Sequence, residues 1–592
     1  MNYKKALKMK HITLKLSVII LLIINSFSSS AQLPDTLPKG LTDLERELIP
    51  QFQFTGNRVM SDPPTGPVRA AAEWEEVEYL VVRWTDAYKN ILRQIVEAGV
   101  AECKVIITTQ NESSVTSYLT SQGISMSNVE FLNAGSNSIW IRDYAGNTIY
   151  SDDVGERAYA DWIYNRPRPL DNIMPTAHAN MIGMPIYVTD TGANDLVNTG
   201  GNYMSDGLGN AFASNLILEE NEPGNPYNVS AKTEEEIDAI MNAYMGIENY
   251  IKMETLPYDE IHHIDMHMKL LDEETILVSR YPDGVADGPQ IEENIEYILS
   301  NFQSPFDTPY KIKWIDAPPS TSGSYPDTGG YYRTYSNAVF VNKSVIVPTY
   351  RPEVDEPALD YLRELLPGYN VVGIDVDNSN EPLIASLGAI HCITHTIGVD
   401  EPLWIVHQPI NEVPTGNTNV SITAMIKHVS GINNATVYWR EEGESEFNQL
   451  SMTIINDDNW SADLLIPSGS ESIEYYIEAE ANSGKSLARP LVAPEGFWTF
   501  TVANLSNEEW ADNNISAPYP NPTSEVVSFK LNQIEGAVEV SIYNIFGQKL
   551  NTTTIVEANG ILTLDLNKEW EGTLLVTFKG DFGKVTKKII KL

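Results

Sequence analysis

The chain has 592 residues, with 39 Lys and Arg against 80 Asp and Glu, a formal net charge of −41 and only two cysteines. At roughly 150 residues per domain, this length predicts three or four domains. Hydrophobic residues make up 42% of the chain, which excludes wholesale disorder. The negative charge argues against nucleic acid or an anionic membrane as main partner and favours cationic partners, including guanidinium groups. Two cysteines allow at most one disulfide, so we expect apolar cores to hold the domains.

The first 31 residues have the pattern of a secretory signal peptide. Five lysines and no acid precede a short apolar run from Leu16 to Phe27, and Ser29-Ser30-Ala31 supplies small residues for cleavage. An uncleaved anchor is the alternative, but the run is shorter than the roughly 20 residues that a membrane span needs. Residues 32–57 contain several prolines and lack periodicity, so we interpret them as a propeptide or linker.

The segment 58–412 alternates between strand and helix patterns. EVEYLVVRW predicts a strand, YKNILRQIVEAG an amphipathic helix, and CKVIITT a second strand. Two Gly-rich turns, at 198–203 and 327–332, resemble each other and hint at a repeated ββα-type unit. The segment is therefore expected to be an α/β domain.

The remainder of the chain has an all-β pattern. Residues 413–503 contain SIEYYIEAEA, whose alternation indicates a half-buried antiparallel strand of a small sandwich. Residues 504–515 are interpreted as a linker. Residues 516–592 open with Pro518-Tyr-Pro-Asn-Pro522, end in a basic strand, and resemble the C-terminal sorting domain of type IX secretion substrates in Bacteroidetes. The resemblance implies the type IX machinery as a partner, with release or attachment at the cell surface.

Cys392 is the candidate nucleophile of segment 58–412. It lies in LGAIHCITH, after a predicted helix that ends at Gly388 and within a predicted short strand. A free cysteine is more often a core residue than a catalyst. Cys103, at an apolar strand start, is expected to be buried and inert.

A cluster of polar residues spans His262 to Lys269. If this stretch is a strand, His263, Asp265 and His267 share one face with Lys269. Imidazole beside carboxylate suits general acid/base work near a charged substrate. The same three residues could instead ligate a metal or form a structural polar face, although no second cluster supports a metal.

Two further motifs carry charge. In Trp140-Ile-Arg-Asp-Tyr144, a strand would send Arg142 and Asp143 to opposite faces. In Asn165-Arg-Pro-Arg-Pro169, prolines stiffen the loop and hold Arg166 and Arg168 as a candidate carboxylate clamp. A salt-bridged surface loop is the alternative.

Four motifs occur in the order and spacing of the agmatine/peptidylarginine deiminase family: WIRDYAG, NTGGNYMSDG, HIDMHMK and GAIHCITH. The chain resembles most closely the Porphyromonas-type peptidylarginine deiminases, which also have a signal peptide, an immunoglobulin-like domain and a sorting domain. The resemblance covers about residues 60–410. It implies the five-fold pseudosymmetric α/β propeller (pentein) of the guanidino-group-modifying enzymes as the catalytic domain.

The resemblance also implies the roles of individual residues. Asp143 and Asp265 would hold the guanidinium, Cys392 would attack its central carbon, and His263 would act as general acid and then base. Asn337 would help to orient the site, although Asn342 lies only five residues away. Trp140, Arg166 and Arg168 would bind the substrate. Family members of this bacterial type need no metal, and no cofactor is expected.

The substrate remains the open question. The loop Arg166-Pro167-Arg168 favours peptides or proteins that end in arginine, while agmatine or another small guanidine is the alternative for the same catalytic residues. Glu260 replaces an aromatic residue of the closest relatives, so preference near the arginine is undetermined. A cysteine peptidase is a poorer interpretation, and a non-catalytic surface adhesin is the alternative from another class.

Overall fold

The computed structural model of the chain describes residues 37–54, 62–190, 192–414, 419–503, 514–532, 537–545, 547–555, 560–570, 572–580 and 583–592. The predicted signal peptide and most of the predicted linker 504–515 lie outside these ranges. Within them, no helix has the length and apolar character needed to cross a membrane.

The described residues form ten α-helices. In chain order they are Asp43–Leu48, Lys89–Glu102, Glu112–Ser121, Ile141–Tyr144, Pro169–Asn172, Met174–Ile182, Leu216–Glu219, Glu234–Met245, Gly288–Asn301 and Pro352–Leu365. The helix Lys89–Glu102 shows why they form: Ile91, Leu92, Ile95 and Val96 recur at helical spacing and are buried against the sheet. A capping box of Thr233 and Glu236 begins the helix Glu234–Met245.

Five small sheets occupy the described part of residues 68–398. The first sheet has, in order across it, the strands His395–Gly398, Val77–Arg83, Lys104–Thr108 and Val129–Leu132. The second has Val68–Ala70, Asn147–Ser151, Arg157–Tyr164 and Ile186–Thr189, with Val197–Asn198 beside Arg157–Tyr164. The third has Met204–Ser205, Asn210–Ser214 and Asn249–Met253, the fourth has Met268–Leu270, Thr275–Arg280 and Lys311–Asp316, and the fifth has Val339–Val341, Ser344–Thr349 and Asn370–Asp375.

One pattern recurs in all five sheets. A central strand pairs antiparallel with a short strand on one side and parallel with a strand on the other. The parallel partner follows a helix each time, as the crossover between parallel strands requires. The first sheet takes its short strand, His395–Gly398, from the far end of this segment. The two ends of the segment are thereby joined in one sheet.

Two further β regions follow. In the first of them, two sheets share one core. One sheet has the strands Trp404–Val406, Asn419–Lys427, Asn459–Leu465 and Thr453–Asn456. The other has Glu412–Pro414, Trp498–Ala503, Ser472–Ala481, Ile432–Glu441 and Asn448–Ser451, with Ser486–Arg489 beside Ser472–Ala481. The last region has its own core and the strands Val526–Leu531 and Gly560–Asp565; and Lys549–Ile555, Val538–Asn544, Gly572–Gly580 and Gly583–Lys591.

The predicted alternation of SIEYYIEAEA is confirmed, because Ile473, Tyr475, Ile477 and Ala479 are buried in the strand Ser472–Ala481. The sandwich begins earlier than the boundary after residue 412 that the sequence suggested. The strand Trp404–Val406 already pairs with Asn419–Lys427 of its first sheet.

Three local predictions of secondary structure are wrong. WIRDY forms the short helix Ile141–Tyr144 rather than a strand, and all four of its residues are buried. HIDMHMK begins with the 3₁₀ turn Ile264–Met266, and only Met268–Leu270 is a strand. Cys392 lies in the 3₁₀ turn His391–Ile393, and the preceding predicted helix is the 3₁₀ turn Leu383–Ser386. Backbone turns at a site lack the periodicity that sequence patterns detect.

Residues 37–54, predicted to belong to a propeptide or linker, are packed against the five-sheet region. The helix Asp43–Leu48 is followed by the 3₁₀ turn Ile49–Gln51. Ile49 and Phe54 share a small buried cluster with Ile163, Val197 and Tyr227.

Candidate active site

The candidate site is built from five turns, one before the short antiparallel strand of each sheet. Cys392 precedes His395–Gly398, Asp143 precedes Asn147–Ser151, and Gly201 precedes Met204–Ser205; Asp265 precedes Met268–Leu270, and Asn337 precedes Val339–Val341. The sequence motifs are thus equivalent positions of the repeated unit. This repetition explains why residues up to about 250 positions apart in sequence converge.

The turn Gly200–Asn202 holds the carboxylate of Asp143 close to the imidazole of His263. Oδ1 of Asp143 lies 3.4 Å from Nδ1 of His263. A β-carbon on Gly201 would lie 2.4 Å from that Nδ1 and 3.0 Å from that Oδ1, and one on Gly200 would lie 2.0 Å from the carbonyl oxygen of Arg142. Side chains at these two positions would force the site apart. The two glycines of NTGGNY therefore shape the site, a role that the sequence motif alone did not indicate.

Cys392 and Asn337 lie against the second aspartate, Asp265. The Asn337 side-chain amide donates to the carbonyl oxygen of Asp265 at 3.0 Å and lies 3.4 Å from Cys392 Sγ. Its oxygen accepts from the backbone N–H of His391 at 3.0 Å. Asn342, by contrast, bonds the backbone of Val77 in both directions, at 2.8 and 3.0 Å. The structure places Asn337 in the site and Asn342 outside it.

Lys39 lies at the centre of the candidate site. Its Nζ lies 3.7 Å from Oδ1 of Asp143 and 3.7 Å from Oδ1 of Asp265. It also lies 2.9 Å from Cys392 Sγ, and its side chain is completely buried. Sequence analysis missed this residue, because it belongs to a segment without periodicity or any motif.

A second layer behind Asp265 was also missed. Nδ1 of His391 lies 2.8 Å from Oδ2 of Asp265, and its Nε2 lies 3.1 Å from Oε2 of Glu73. Glu73 accepts a further hydrogen bond from Nζ of Lys269 at 3.0 Å. This chain of contacts fixes the orientation of the Asp265 carboxylate. The only signal in the sequence was that His391 directly precedes the cysteine.

The two arginines of the proline-rich loop are buried, which rules out the alternative of a salt-bridged surface loop. Nε of Arg166 donates to the carbonyl oxygen of Lys39 at 3.3 Å. Nε of Arg168 donates to Oε1 of Glu45 at 2.7 Å, and its Nη2 donates to the carbonyl oxygens of Pro38 and Gly40. Both guanidinium groups face the N-terminal segment rather than solvent.

Trp140 lies beside the cysteine turn and is fully buried. A β-carbon on Gly388 would lie 2.4 Å from its ring, so the indole rests directly on that glycine. Its Nε1 donates to the carbonyl oxygen of Leu37 at 2.9 Å. Trp140 therefore also contacts the N-terminal segment.

Three other residues that the sequence singled out do not belong to this cluster. Glu260 is exposed. Within the ranges that the structure describes, no group of three His, Cys, Asp or Glu side chains is arranged to hold a metal ion, so His267 does not form a ligand set with His263 and Asp265. Cys103 is half-buried at the end of the helix Lys89–Glu102, and burial raises its pKa to about 12.

The electrostatics of the site follow from complete burial of opposed charges. Burial alone would raise the pKa of Asp143 and Asp265, but Lys39 and the neighbouring His263 and His391 together outweigh it, and both pKa values lie below their usual range. The same carboxylates hold the pKa of Lys39 above its usual range against the effect of burial. Carboxylates and ammonium are therefore all charged at neutral pH.

The thiol and the imidazole are neutral in this arrangement. Burial, together with Asp265, raises the pKa of Cys392 to about 12, although Lys39 acts in the opposite direction. Burial and the charge of Lys39 lower the pKa of His263 to about 4. A protonated thiol and an unprotonated imidazole thus lie in one pocket with two carboxylates.

A buried cysteine among two carboxylates, a histidine and an asparagine defines a class of hydrolase that acts on cationic carbon–nitrogen groups. The family described as "Porphyromonas-type peptidyl-arginine deiminase" matches residues 69–397, and the chain belongs to that family. It is a hydrolase of the arginine and agmatine deiminase type. Residues 517–592 match the "Secretion system C-terminal sorting domain", and the protein is secreted or attached to the cell surface.

The chain is also similar to individual proteins and solved structures. The chain is 26% identical over 294 residues to the protein named "Putative agmatine deiminase" of Yersinia pseudotuberculosis, covering 46% of this chain and 77% of that protein. The X-ray structure named "putative agmatine deiminase" is 18% identical, with a TM-score of 0.50, covering 58% of this chain and all of that one. The agmatine deiminase of C. jejuni is 21% identical, with a TM-score of 0.46, covering 58% and 99%. The second of these similarities shows a shared fold.

Proposed function

We propose that the chain is a secreted deiminase that converts the arginine of peptides, at a C-terminal position, to citrulline and ammonia. The observation that carries the proposal is the position of a cation between two buried carboxylates, 3.7 Å from each and 2.9 Å from a cysteine sulfur. A guanidinium is a cation whose nitrogens suit two carboxylates and whose central carbon needs a soft nucleophile.

The proposal extends to the domains and their fold. We assign residues 1–31 to a signal peptide, 32–57 to a propeptide or linker, 58–403 to the deiminase domain, 504–515 to a linker and 516–592 to the sorting domain. Because the strand Trp404–Val406 pairs with Asn419–Lys427, residues 404–503 are assigned to an immunoglobulin-like sandwich. The five recurring units, and the sheet that joins both ends of the deiminase segment, support a five-fold pseudosymmetric propeller around the site.

In the proposed reaction, Asp143 and Asp265 hold the guanidinium nitrogens and orient the central carbon towards Cys392. The thiol and His263 are neutral at rest, so transfer of the thiol proton to the imidazole generates both the nucleophile and the acid. Sulfur adds to the central carbon, the imidazolium protonates one nitrogen, and ammonia leaves.

The second half of the reaction regenerates the enzyme. His263, now neutral, takes a proton from water, which adds to the carbon of the covalent thiouronium intermediate. The carbon–sulfur bond breaks, the added hydroxyl gives its proton to sulfur, and the ureido group of citrulline is released. The proton on His263 then passes to solvent, where it converts ammonia to ammonium. Asn337, which contacts both Cys392 and the backbone of Asp265, would keep nucleophile and carboxylate in register.

The positions of Arg166 and Arg168 favour a substrate in which the reacting arginine carries a free carboxylate. Their guanidinium groups are buried, and they bind carbonyl and carboxylate oxygens beside the residue whose side chain enters the site. A planar guanidinium binds a carboxylate in bidentate fashion, which favours the free C-terminus of a peptide. Agmatine has no such group. The Yersinia relative's name supports the second candidate, a small-guanidine hydrolase with the same catalytic residues.

The experiment compares three substrates: a peptide ending in arginine, the same peptide with its arginine internal, and agmatine. Replacing Arg168 with alanine should weaken kcat/KM for the first by roughly 10- to 100-fold, the usual value of a charge-assisted contact, and leave agmatine unchanged. Arg363→Ala, on an exposed helix face, is the matched control, and Cys392→Ala is the blank. Because Lys39 fills the site, each variant is tested with Lys39 present and with Lys39→Ala.

Turnover of agmatine alone, unaffected by Arg168→Ala, would replace the peptide substrate with a small guanidine. Turnover of none of the three by any chain would exclude a deiminase and favour the adhesin interpretation.

A further inference from the structure

The N-terminal segment 37–54 occupies the candidate active site as a substrate would. Lys39 places an ammonium where the proposed reaction needs the guanidinium of an arginine, between Asp143 and Asp265 and against Cys392. Its side chain and those of both aspartates are at most 1% exposed. The reacting groups are therefore closed off from any other substrate while Lys39 is in place.

The main chain of the segment binds the residues proposed to hold the substrate backbone. The carbonyl oxygens on either side of Lys39, those of Pro38 and Gly40, accept from Arg168, and its own carbonyl accepts from Arg166. The backbone N–H of Lys39 donates to the carbonyl oxygen of Ser386 at 2.9 Å. These contacts follow one another along the chain, as in a bound peptide.

Glu45 supplies the carboxylate that Arg168, one of the two arginines of the proposed clamp, binds in this structure. Its carboxylate receives Nε of Arg168 at 2.7 Å and Nη2 at 3.2 Å, and it is buried. The arginine contact and the capping box with Thr42 outweigh burial and hold the pKa of Glu45 below its usual range. Lys39 and Glu45 together reproduce the positive and negative ends of an arginine with a free carboxyl group.

A hydrophobic anchor holds the segment in place beyond the site. Ile49 and Phe54 are buried in one cluster with Tyr227, and the ring of Phe54 contacts the ring of Tyr227 edge-on at 5.1 Å. Nδ2 of Asn172 donates to the carbonyl oxygen of Phe54 at 3.4 Å. Removing these two apolar side chains from water stabilises the docked position of the segment.

Lysine can occupy this position without being consumed. Its ammonium bears no carbon double-bonded to nitrogen, so Cys392 has no electrophilic atom to attack. The contacts of a substrate are thus made, but no reaction follows.

From these contacts we infer that residues 37–54 are a built-in pseudosubstrate inhibitor, and that the chain is latent until this segment leaves the cleft. The inference rests on the proposed function, since it assigns Lys39 and Glu45 to the guanidinium and carboxylate positions of that substrate. It gives residues 37–54 a definite role: they keep Cys392 closed off from substrate until the segment leaves the cleft.

The test uses the chain from residue 32 onwards, which keeps the segment 37–54, and two independent measurements. The first is citrulline formation from a peptide ending in arginine. The second is the rate at which iodoacetamide alkylates Cys392, measured by mass mapping with the half-buried Cys103 as internal reference. Lys39→Ala and Glu45→Gln disturb the inhibitor at its two ends. Arg46→Ala and Glu47→Gln, on the exposed side of the same helix, are the matched controls.

We expect Lys39→Ala to raise turnover and Cys392 alkylation by roughly 10- to 100-fold, the effect of losing one charge-assisted contact. Glu45→Gln should raise both less, and the two controls should behave as the unmodified chain. Equal or lower turnover with Lys39→Ala than with the unmodified chain, together with unchanged alkylation of Cys392, would overturn the inference. That result would make Lys39 a permanent part of the active site.

Lys39→Arg provides a second test, because it offers the site a reactive guanidinium within the segment itself. We expect the chain to convert its own residue 39 to citrulline, detected by mass mapping and abolished by Cys392→Ala. An unconverted arginine at this position would show that the segment does not follow the substrate's path. Faster alkylation of Cys392 with no citrulline from any substrate would instead uphold the blocking segment and reject the deiminase proposal.

Discussion

Replacing Gly201 with alanine perturbs the contact between Asp143 and His263 by one methyl group. The added carbon would lie 2.4 Å from Nδ1 of His263 and 3.0 Å from Oδ1 of Asp143. Since ordinary contact begins near 3.4 Å, the imidazole must retreat by about 1 Å in a close-packed interior. Gly201 does not have the left-handed backbone conformation that only glycine favours, so the methyl group itself is the perturbation.

A displacement of this size costs roughly 100-fold in rate when reacting groups are held in near-attack positions. We therefore expect kcat to fall by about 100-fold, with a smaller change in KM. The assay measures citrulline from a peptide ending in arginine, using Gly201→Ala in the Lys39→Ala chain so that the site is open. Overpacking also destabilises by about 1–3 kcal/mol, so the melting temperature is measured and the assay runs well below it.

Gly288→Ala is the matched control. Its added carbon would lie 3.5 Å from Cβ of Tyr281, an ordinary contact, at the start of a helix where alanine is well tolerated. We expect kcat to remain that of the parent chain. If Gly201→Ala retains kcat within about threefold of this control, the reasoning that this glycine sets the geometry is refuted.

Two further predictions concern the asparagines and the buried histidines. Asn337→Ala should lower kcat by about 100-fold, the usual loss for one donor at a reacting centre. Asn342→Ala should instead lower the melting temperature and spare kcat, because it removes hydrogen bonds to the backbone; the opposite pattern would reverse the assignment. Burial lowers the pKa of His178 and His267 to about 4, below the value near 6.5 in an unfolded chain. The stability that they contribute is therefore present above about pH 6.5 and is lost as the pH falls towards 4, by up to about 1.4 kcal/mol per pH unit for each. Thermal unfolding across this range should show the decline, and His178→Gln should make it shallower; a melting temperature independent of pH would contradict the prediction.

Much of the candidate site could be predicted from the sequence, because the proposed chemistry dictates its residue types. Asp143, His263, Asp265 and Cys392 stand in short motifs whose order identified the family, and the structure brings all four together with Asn337. Their local conformations could not be predicted. They lie in turns of three or four residues, too short for any hydrophobic period to describe.

Other features could not be predicted from the sequence, because the role of each residue depends on partners that are distant along the chain. Glu73 is an ordinary acidic residue in the sequence, and only the fold places it against His391 and Lys269. Asn337 and Asn342 are indistinguishable by spacing, and their different partners separate them. The strand Trp404–Val406 looks like the end of the first domain but pairs into the sandwich, because strand pairing is decided by what is available across space.

The sequence by itself determined the family, the candidate nucleophile and carboxylates, and the alternation of strand and helix, since these follow from residue type and local order. Only the tertiary structure decided that a segment without a motif fills the site. Lys39 and Glu45 acquire their role from Cys392 and Arg168, residues 353 and 123 positions away along the chain. Charge complementarity of this kind is a property of positions in space, and no local pattern in the sequence records it.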